Sequence, residues 1–141
     1  GKIIPQFNKF QGFCFPSAAL NVYYLMGKDP GYLDLLYTTL ERFDSYLWRV
    51  RDSDGDGCLE TWCKYDTGED HALRYGDAPD DWSKETPPEG CSVVPMASMD
   101  IMSFSYASRE TLAKISRIRN DMEKMEFWKE KAAQVHFQME S

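Results

Sequence analysis

The sequence predicts an all-α fold of two helical hairpins joined by a long loop. Apolar residues recur at spacings of three and four in four stretches, at about residues 17–27, 31–50, 98–118 and 121–139. This spacing is typical of amphipathic helices. Residues 51–97 are instead rich in Gly, Asp and Pro. Because the connection within each pair of helices is short, we expect the two members of a pair to be antiparallel.

The first helix is predicted to begin near Pro16 and Ser17, since Pro is tolerated in the first turn of a helix. Gly27 and the Asp29-Pro30-Gly31 group end it, because the chain cannot stay helical through them. We expect its buried stripe to consist of five apolar residues: Phe15, Ala18, Val22, Leu25 and Met26.

The second helix has the most regular spacing of apolar residues in the sequence. This spacing predicts one buried face over about five turns. The residues of that face are Leu33, Leu36, Leu40, Phe43, Leu47 and Val50.

The third and fourth helices also carry one apolar stripe each. Asn120 is predicted to cap the fourth helix, with Glu123 completing a capping-box-like pair. The stripe of the third helix is Ile101, Phe104, Ala107, Leu112, Ile115 and Ile118. The stripe of the fourth is Met122, Met125, Trp128, Ala132, Val135 and Met139.

Composition excludes several classes of protein. Hydrophobic residues make up 43% of the chain, which is enough for a core. The 16 basic and 23 acidic residues leave a net charge of −7, which repels phosphate backbones and argues against nucleic acid as a partner. No apolar run reaches the roughly 18 residues of a membrane span. The four cysteines lack zinc-site spacing, so we expect reduced thiols and no bound zinc.

The long loop opens with an Asp- and Gly-rich turn that permits two interpretations. Asp52, Asp54 and Asp56 match positions one, three and five of an EF-hand calcium loop, and Gly57 matches position six. Position twelve, where the bidentate Glu belongs, is Cys63. The other interpretation is a tight turn whose carboxylates accept hydrogen bonds from their own backbone. A short β-hairpin is also predicted near Leu59–Tyr65.

Two segments of this region carry a resemblance. WRVRDSDGDGCLE joins the end of the second helix to the Asp- and Gly-rich turn, and YDTGEDHALR follows after four residues. In this order, after a long helix, they resemble inverting glycosidases built on an (α/α)6 barrel. Those are the trehalases and the α-glucosidase and mannosylglycerate hydrolase group of glycoside hydrolase family 63. The downstream VPMASMDIMSF is similar to the Asp-Leu-Asn start of a helix in that group, with Asp100 at the Asp and Met102 where Asn is usual. The resemblance covers most of residues 12–135.

The resemblance implies a site and a reaction. The Asp of the family's second segment is the general acid, and that role falls on Asp70. The family has an aromatic residue or Met before the acid where this chain has Glu69, and it differs again at His71 and Ala72. A neighbouring carboxylate such as Glu69 can raise the pKa of an acid by like-charge repulsion. The departure is equally consistent with an altered sugar subsite or with lost activity.

Sugar hydrolysis with inversion needs two carboxyl groups, one to protonate the leaving oxygen and one to activate water. Aromatic rings stack on sugars, so Trp62 and Tyr65 are predicted to contact substrate, together with Glu69. Arg74 is predicted to bind a substrate hydroxyl or to orient a carboxylate. No cofactor is expected, and calcium at Asp52, Asp54 and Asp56 is kept as the alternative.

The resemblance further implies that residues 1–141 form about a third of a toroidal catalytic domain. The general base then lies outside this chain, so we expect the isolated chain to be inactive and to self-associate through helix faces that lack partners. The competing hypothesis is a helical calcium-binding or protein-interaction module without catalysis.

Overall fold

The structure is a computed structural model that describes residues 15–66, 73–82, 84, 86–89 and 96–141. Its helices are α1 (Phe15–Leu25), α2 (Pro30–Val50), α3 (Met99–Ile118) and α4 (Met122–Glu140). Two short strands, β1 (Glu60–Thr61) and β2 (Met96–Ala97), and two 3-10 turns, Lys64–Asp66 and Leu73–Tyr75, lie between α2 and α3. The predicted all-α class with two helix pairs and a long connection is confirmed.

Helix α2 begins as its sequence indicates. Asp29 is the N-cap, and its carboxylate accepts a hydrogen bond from the backbone N–H of Tyr32 at 2.9 Å. Pro30 occupies the first helical position, where the missing N–H has no partner to lose. The predicted core face is confirmed, with four leucines buried and Phe43 and Val50 half-buried.

Helix α3 is the centre of the molecule, since it packs against α1, α2 and α4. Small side chains cover much of its surface, which lets neighbouring helices approach from several sides. Those that are buried are Ser105, Ser108, Thr111, Ala113 and Ser116. The hydrophobic core divides into one cluster shared by all four helices and a second beside the long connection. The second cluster is Leu47, Leu59, Ile101, Met102, Phe104 and Val135.

The predicted stripe of α1 is wrong. All five of its residues are exposed; Leu25 is 86% and Met26 53% accessible. The helix instead buries Pro16, Leu20 and Tyr23, which share a face at spacings of four and three. The sequence carries two apolar faces on this helix, and periodicity alone does not tell which one packs.

The predicted β-hairpin near Leu59–Tyr65 is also wrong. Strand β1 pairs antiparallel with β2, so that Glu60 lies opposite Ala97 and Thr61 opposite Met96. The residues after β1 turn into the 3-10 turn Lys64–Asp66. The paired residues are 37 and 35 positions apart, so no short turn joins the two strands as it would in a hairpin.

The cap of α4 is Asp121, not Asn120 as predicted. The Asp121 carboxylate accepts a hydrogen bond from the Lys124 N–H at 3.0 Å. Asn120 has a φ of 58°, the left-handed conformation that Asn tolerates better than most residues. It therefore ends α3 rather than starting α4. Within the described residues, the helices are too short or too polar to cross a bilayer.

Candidate active site

Arg51 ties the end of α2 to the long connection. It is the C-cap of α2, and its backbone N–H donates to the Leu47 carbonyl at 2.7 Å. Its guanidinium is fully buried, and both terminal nitrogens donate hydrogen bonds to the buried carboxylate of Asp66. The Nη2–Oδ1 distance is 3.2 Å. Such two-point pairing fixes the orientation of both groups as well as their separation.

Trp62 completes this buried cluster. Its ring centroid lies 4.3 Å from the Arg51 guanidinium carbon. The Trp62 backbone N–H donates to Asp66 Oδ2 at 3.0 Å, and its indole N–H donates to Glu60 Oε2 at 3.2 Å. Trp62 is only 1% exposed. Its predicted contact with a sugar stays a prediction, whereas its contact with the ion pair is part of the described structure.

Backbone hydrogen bonds hold the rest of the connection. The Glu60 N–H donates to the Arg51 carbonyl at 2.7 Å, and the Ser98 N–H donates to the Leu59 carbonyl at 2.8 Å. On the other side of Trp62, the Lys64 N–H donates to the Pro79 carbonyl at 3.0 Å. The segment around the Arg51–Asp66 pair is therefore attached to α2, to the start of α3 and to its own later part.

Two predicted substrate-binding residues are accessible. Tyr65 is 39% exposed. Arg74 is 54% exposed, and its Nη2 lies 4.0 Å from Oδ2 of Asp100 on the first turn of α3. An exposed pair at this distance contributes little to stability. The structure thus brings together two residues that the sequence motifs place 26 positions apart.

The predicted general acid, Asp70, and its neighbour Glu69 lie outside the described residues, as do His71 and Ala72. The chain is described up to Asp66 on one side and from Leu73 on the other. Leu73 begins the second 3-10 turn, which ends at the buried Tyr75.

The Asp- and Gly-rich turn places three carboxylates together. One oxygen from each of Asp52, Asp54 and Asp56 lies within 4.8 Å of the other two. Each carboxylate also accepts a backbone N–H of the turn: Asp56 N–H to Asp54 at 3.1 Å, Gly57 N–H to Asp52 at 3.3 Å and Cys58 N–H to Asp56 at 2.8 Å. Gly57 has a φ of 86°, which a side chain rarely permits.

Two further positions of the calcium pattern do not belong to this group of carboxylates. Glu60, at position nine, accepts hydrogen bonds from Ser53 and from the Trp62 indole. Cys63, at position twelve, is buried and is followed by a 3-10 turn rather than a helix. Three carboxylates can hold a hard cation, but the bidentate ligand of an EF-hand is missing. The turn fits the Asp/Gly interpretation in full and the EF-hand interpretation in part.

The described thiols are poor nucleophiles. Burial raises the pKa of the Cys63 thiol, and the charge of Asp66 raises it further. Burial also raises the pKa of Cys58, together with the Asp56 carboxylate. Both are free cysteines. A thiol that stays protonated at neutral pH is a weak nucleophile and a weak metal ligand.

Sequence reasoning matched Arg51 and Asp66 to a motif without assigning them a role. It also missed a second buried pair, in which Arg109 of α3 binds Asp44 of α2 at 2.7 Å and lies 4.3 Å from the ring of Trp48. Sequence gives no direct sign of burial for a charged residue, since most charged residues are exposed. The available signal was an Arg one helical turn before a residue of the apolar stripe, as Arg109 is before Leu112.

Comparison with known protein families identifies the chain. A family model described as the Mannosylglycerate hydrolase MGH1-like glycoside hydrolase domain matches residues 6–141. The chain belongs to this family. Comparison with curated proteins and with solved structures gave no match.

Membership in the MGH1-like family makes this chain part of a glycoside hydrolase domain, with carbohydrate as the class of substrate. It confirms the resemblance found in the two loop segments. The helical pairs of the fold agree with a fragment of a helical barrel.

Proposed function

We propose that the protein containing this chain hydrolyses α-glycosidic bonds of glucose- or mannose-type sugars with inversion, and that Asp70 is its general acid. The observation that carries the proposal is the family match over residues 6–141, which spans both loop segments. Asp70 occupies the acid's position in the second segment.

The described residues support this assignment from both sides of the acid's segment. Asp66, four positions before Asp70, is fixed by the buried Arg51 guanidinium. Arg74, four positions after it, is half-exposed beside Asp100. A general acid must be held within hydrogen-bonding reach of the leaving oxygen, and the buried attachment at Asp66 suits that task.

In the proposed reaction Asp70 gives its proton to the glycosidic oxygen as the bond to the anomeric carbon breaks. A second carboxylate removes a proton from the water that attacks the opposite face of the sugar. We propose that this base is supplied by the rest of the protein, which makes the isolated chain inactive. Tyr65 is the accessible aromatic for stacking, and Arg74 is suited to bind a hydroxyl.

Asp70→Asn in the full-length protein tests the acid. The amide cannot donate a proton of carboxylic acidity, so we expect kcat to fall by roughly 100- to 10,000-fold while the Kd for sugar changes little. Turnover is measured on α-glucosides and α-mannosides, and binding by calorimetry. Asp80→Asn removes an exposed carboxylate of the same connection and is expected to leave kcat unchanged. Normal hydrolysis by Asp70→Asn would show that the acid lies elsewhere.

A further inference from the structure

The buried Arg51–Asp66 pair lies where the acid-bearing segment leaves the described part of the connection. Arg51 is the C-cap of α2, and Asp66 is the last described residue before that segment. The two side chains are 0% and 1% exposed. Asp70 is four positions beyond Asp66, so the covalent chain keeps the acid within about 14 Å of this pair.

The pair is built for accurate placement. The Asp66 carboxylate accepts three described hydrogen bonds, two from Arg51 and one from the Trp62 backbone. The Trp62 ring covers the guanidinium from one face. A buried charge that loses its partner is strongly unfavourable, so this arrangement has few alternatives. It joins the carboxylate to the C-terminal end of α2, where Leu47 is buried in the core.

We propose that Arg51 and Asp66 are positioning residues for the general acid, acting through the chain between Asp66 and Asp70. This inference rests on the proposed function. The pair does not take part in proton transfer. Its effect is to hold the acid's segment in the geometry that protonates a leaving oxygen, and a displacement of about 1 Å can cost about 100-fold in rate.

The molecule contains a matched control. Asp44 and Arg109 form another buried two-point pair, with distances of 2.7 and 3.2 Å, and Arg109 also lies 4.3 Å from a tryptophan ring. This pair joins α2 to α3 and to the Lys131 carbonyl of α4. It has the same chemistry and similar burial, but it belongs to the helix packing and not to the loop.

The experiment compares Asp66→Asn with Asp44→Asn in the full-length protein. Each variant is assayed on methyl α-glucoside and methyl α-mannoside, whose leaving groups need protonation, and on the corresponding α-glycosyl fluorides, whose leaving group does not. Rates are expressed per folded molecule, with the folded fraction taken from circular dichroism.

We expect both variants to lose thermal stability, and only Asp66→Asn to lose kcat, by about 100-fold on the methyl glycosides and by less than about 10-fold on the fluorides. A purely structural pair lowers activity on both substrate types alike. Equal behaviour of Asp66→Asn and Asp44→Asn therefore overturns the inference.

Arg51→Lys and Arg109→Lys extend the test if the Asn variants do not fold, because lysine keeps the positive charge but loses two-point pairing. The same selective loss on methyl glycosides is expected for Arg51→Lys alone, and its absence counts against the proposal. Asp70→Asn is assayed in parallel. If Asp70→Asn hydrolyses methyl glycosides normally, the proposed function fails; if Asp70→Asn is inactive and Asp66→Asn matches its control, only the positioning role fails.

Discussion

At the scale of single residues, burial separates the charged groups that stabilise the fold from those that are accessible to a ligand, and it raises the pKa of the described thiols. Arg51 and Asp66 are both buried and paired, whereas Arg74 and Asp100 are about half-exposed and 4.0 Å apart. Exposed charges at such a distance are well solvated and exchange partners at little cost. The Arg51–Asp66 pair is therefore suited to stabilise the fold, whereas Arg74 is accessible for a ligand.

Cys63 gives a pH dependence that can be measured. Its pKa is raised above the ordinary value of 9.0, mainly by burial. As pH rises past 9.0, the thiol of the unfolded chain loses its proton before the buried thiol does. The stability that comes from burying a neutral thiol is therefore complete below pH 9.0 and is lost as pH rises above it.

We therefore expect the free energy of unfolding to fall above about pH 9, by about 1.4 kcal/mol for each pH unit in which only the unfolded thiol is ionised. Denaturant titrations of this chain at pH 7 and pH 10 measure the loss. In Cys63→Ala the loss is expected to be smaller. An identical loss in the variant and the parent would contradict the role given to burial.

At the scale of elements, a single titration with calcium can decide whether the Asp- and Gly-rich turn is a calcium site or a turn stabilised by its own backbone hydrogen bonds. Its three carboxylates concentrate negative charge within 4.8 Å, but each also serves as an acceptor for the backbone. Without a bidentate twelfth ligand, we expect calcium to bind in the millimolar range, as in the weakest protein sites.

Isothermal titration with calcium tests this expectation. Asp54→Ala should abolish the weak binding, and Asp34→Ala, which removes an exposed carboxylate of α2, should leave it unchanged. Micromolar binding that disappears in Asp54→Ala would contradict our assignment and favour a calcium-binding module.

The elements also show what sequence can and cannot predict. The stripe of α2 was correct because only one of its faces is apolar. The stripe of α1 was wrong because Leu20 and Tyr23 form a second apolar face, and the choice between them depends on contacts with other helices. Strand β1 lies inside the predicted hairpin, but the predicted strand partner was wrong. Its true partner is 35 to 37 positions away, and such a pairing depends on tertiary contacts rather than on local sequence.

The site divides in the same way. Motif order predicts which segment carries the acid, and that assignment stays a prediction. Arg74 and Tyr65 are accessible, as a substrate-binding role requires. The burial of Trp62 and its packing on Arg51 could not be predicted from the sequence. An aromatic residue beside a charged loop is equally consistent with a place in the core and with a surface that stacks on a ligand.

At the scale of the whole molecule, membership in the MGH1-like family fits the all-helical architecture. Two apolar residues of α1 lie at the surface of the described structure, with Leu25 86% and Val22 39% exposed. Exposed apolar patches mark interaction surfaces or sites of association. Self-association of the isolated chain, and its place as part of a toroidal domain, stay predictions.

The account as a whole depends on inverting hydrolysis by two carboxyl groups, one of which is in this chain. Proton NMR of the first product released from an α-glucoside or α-mannoside by the full-length protein tests it most directly. Because water attacks the face opposite the leaving group, we predict that the β-anomer of the sugar forms first. Initial release of the α-anomer would contradict the account.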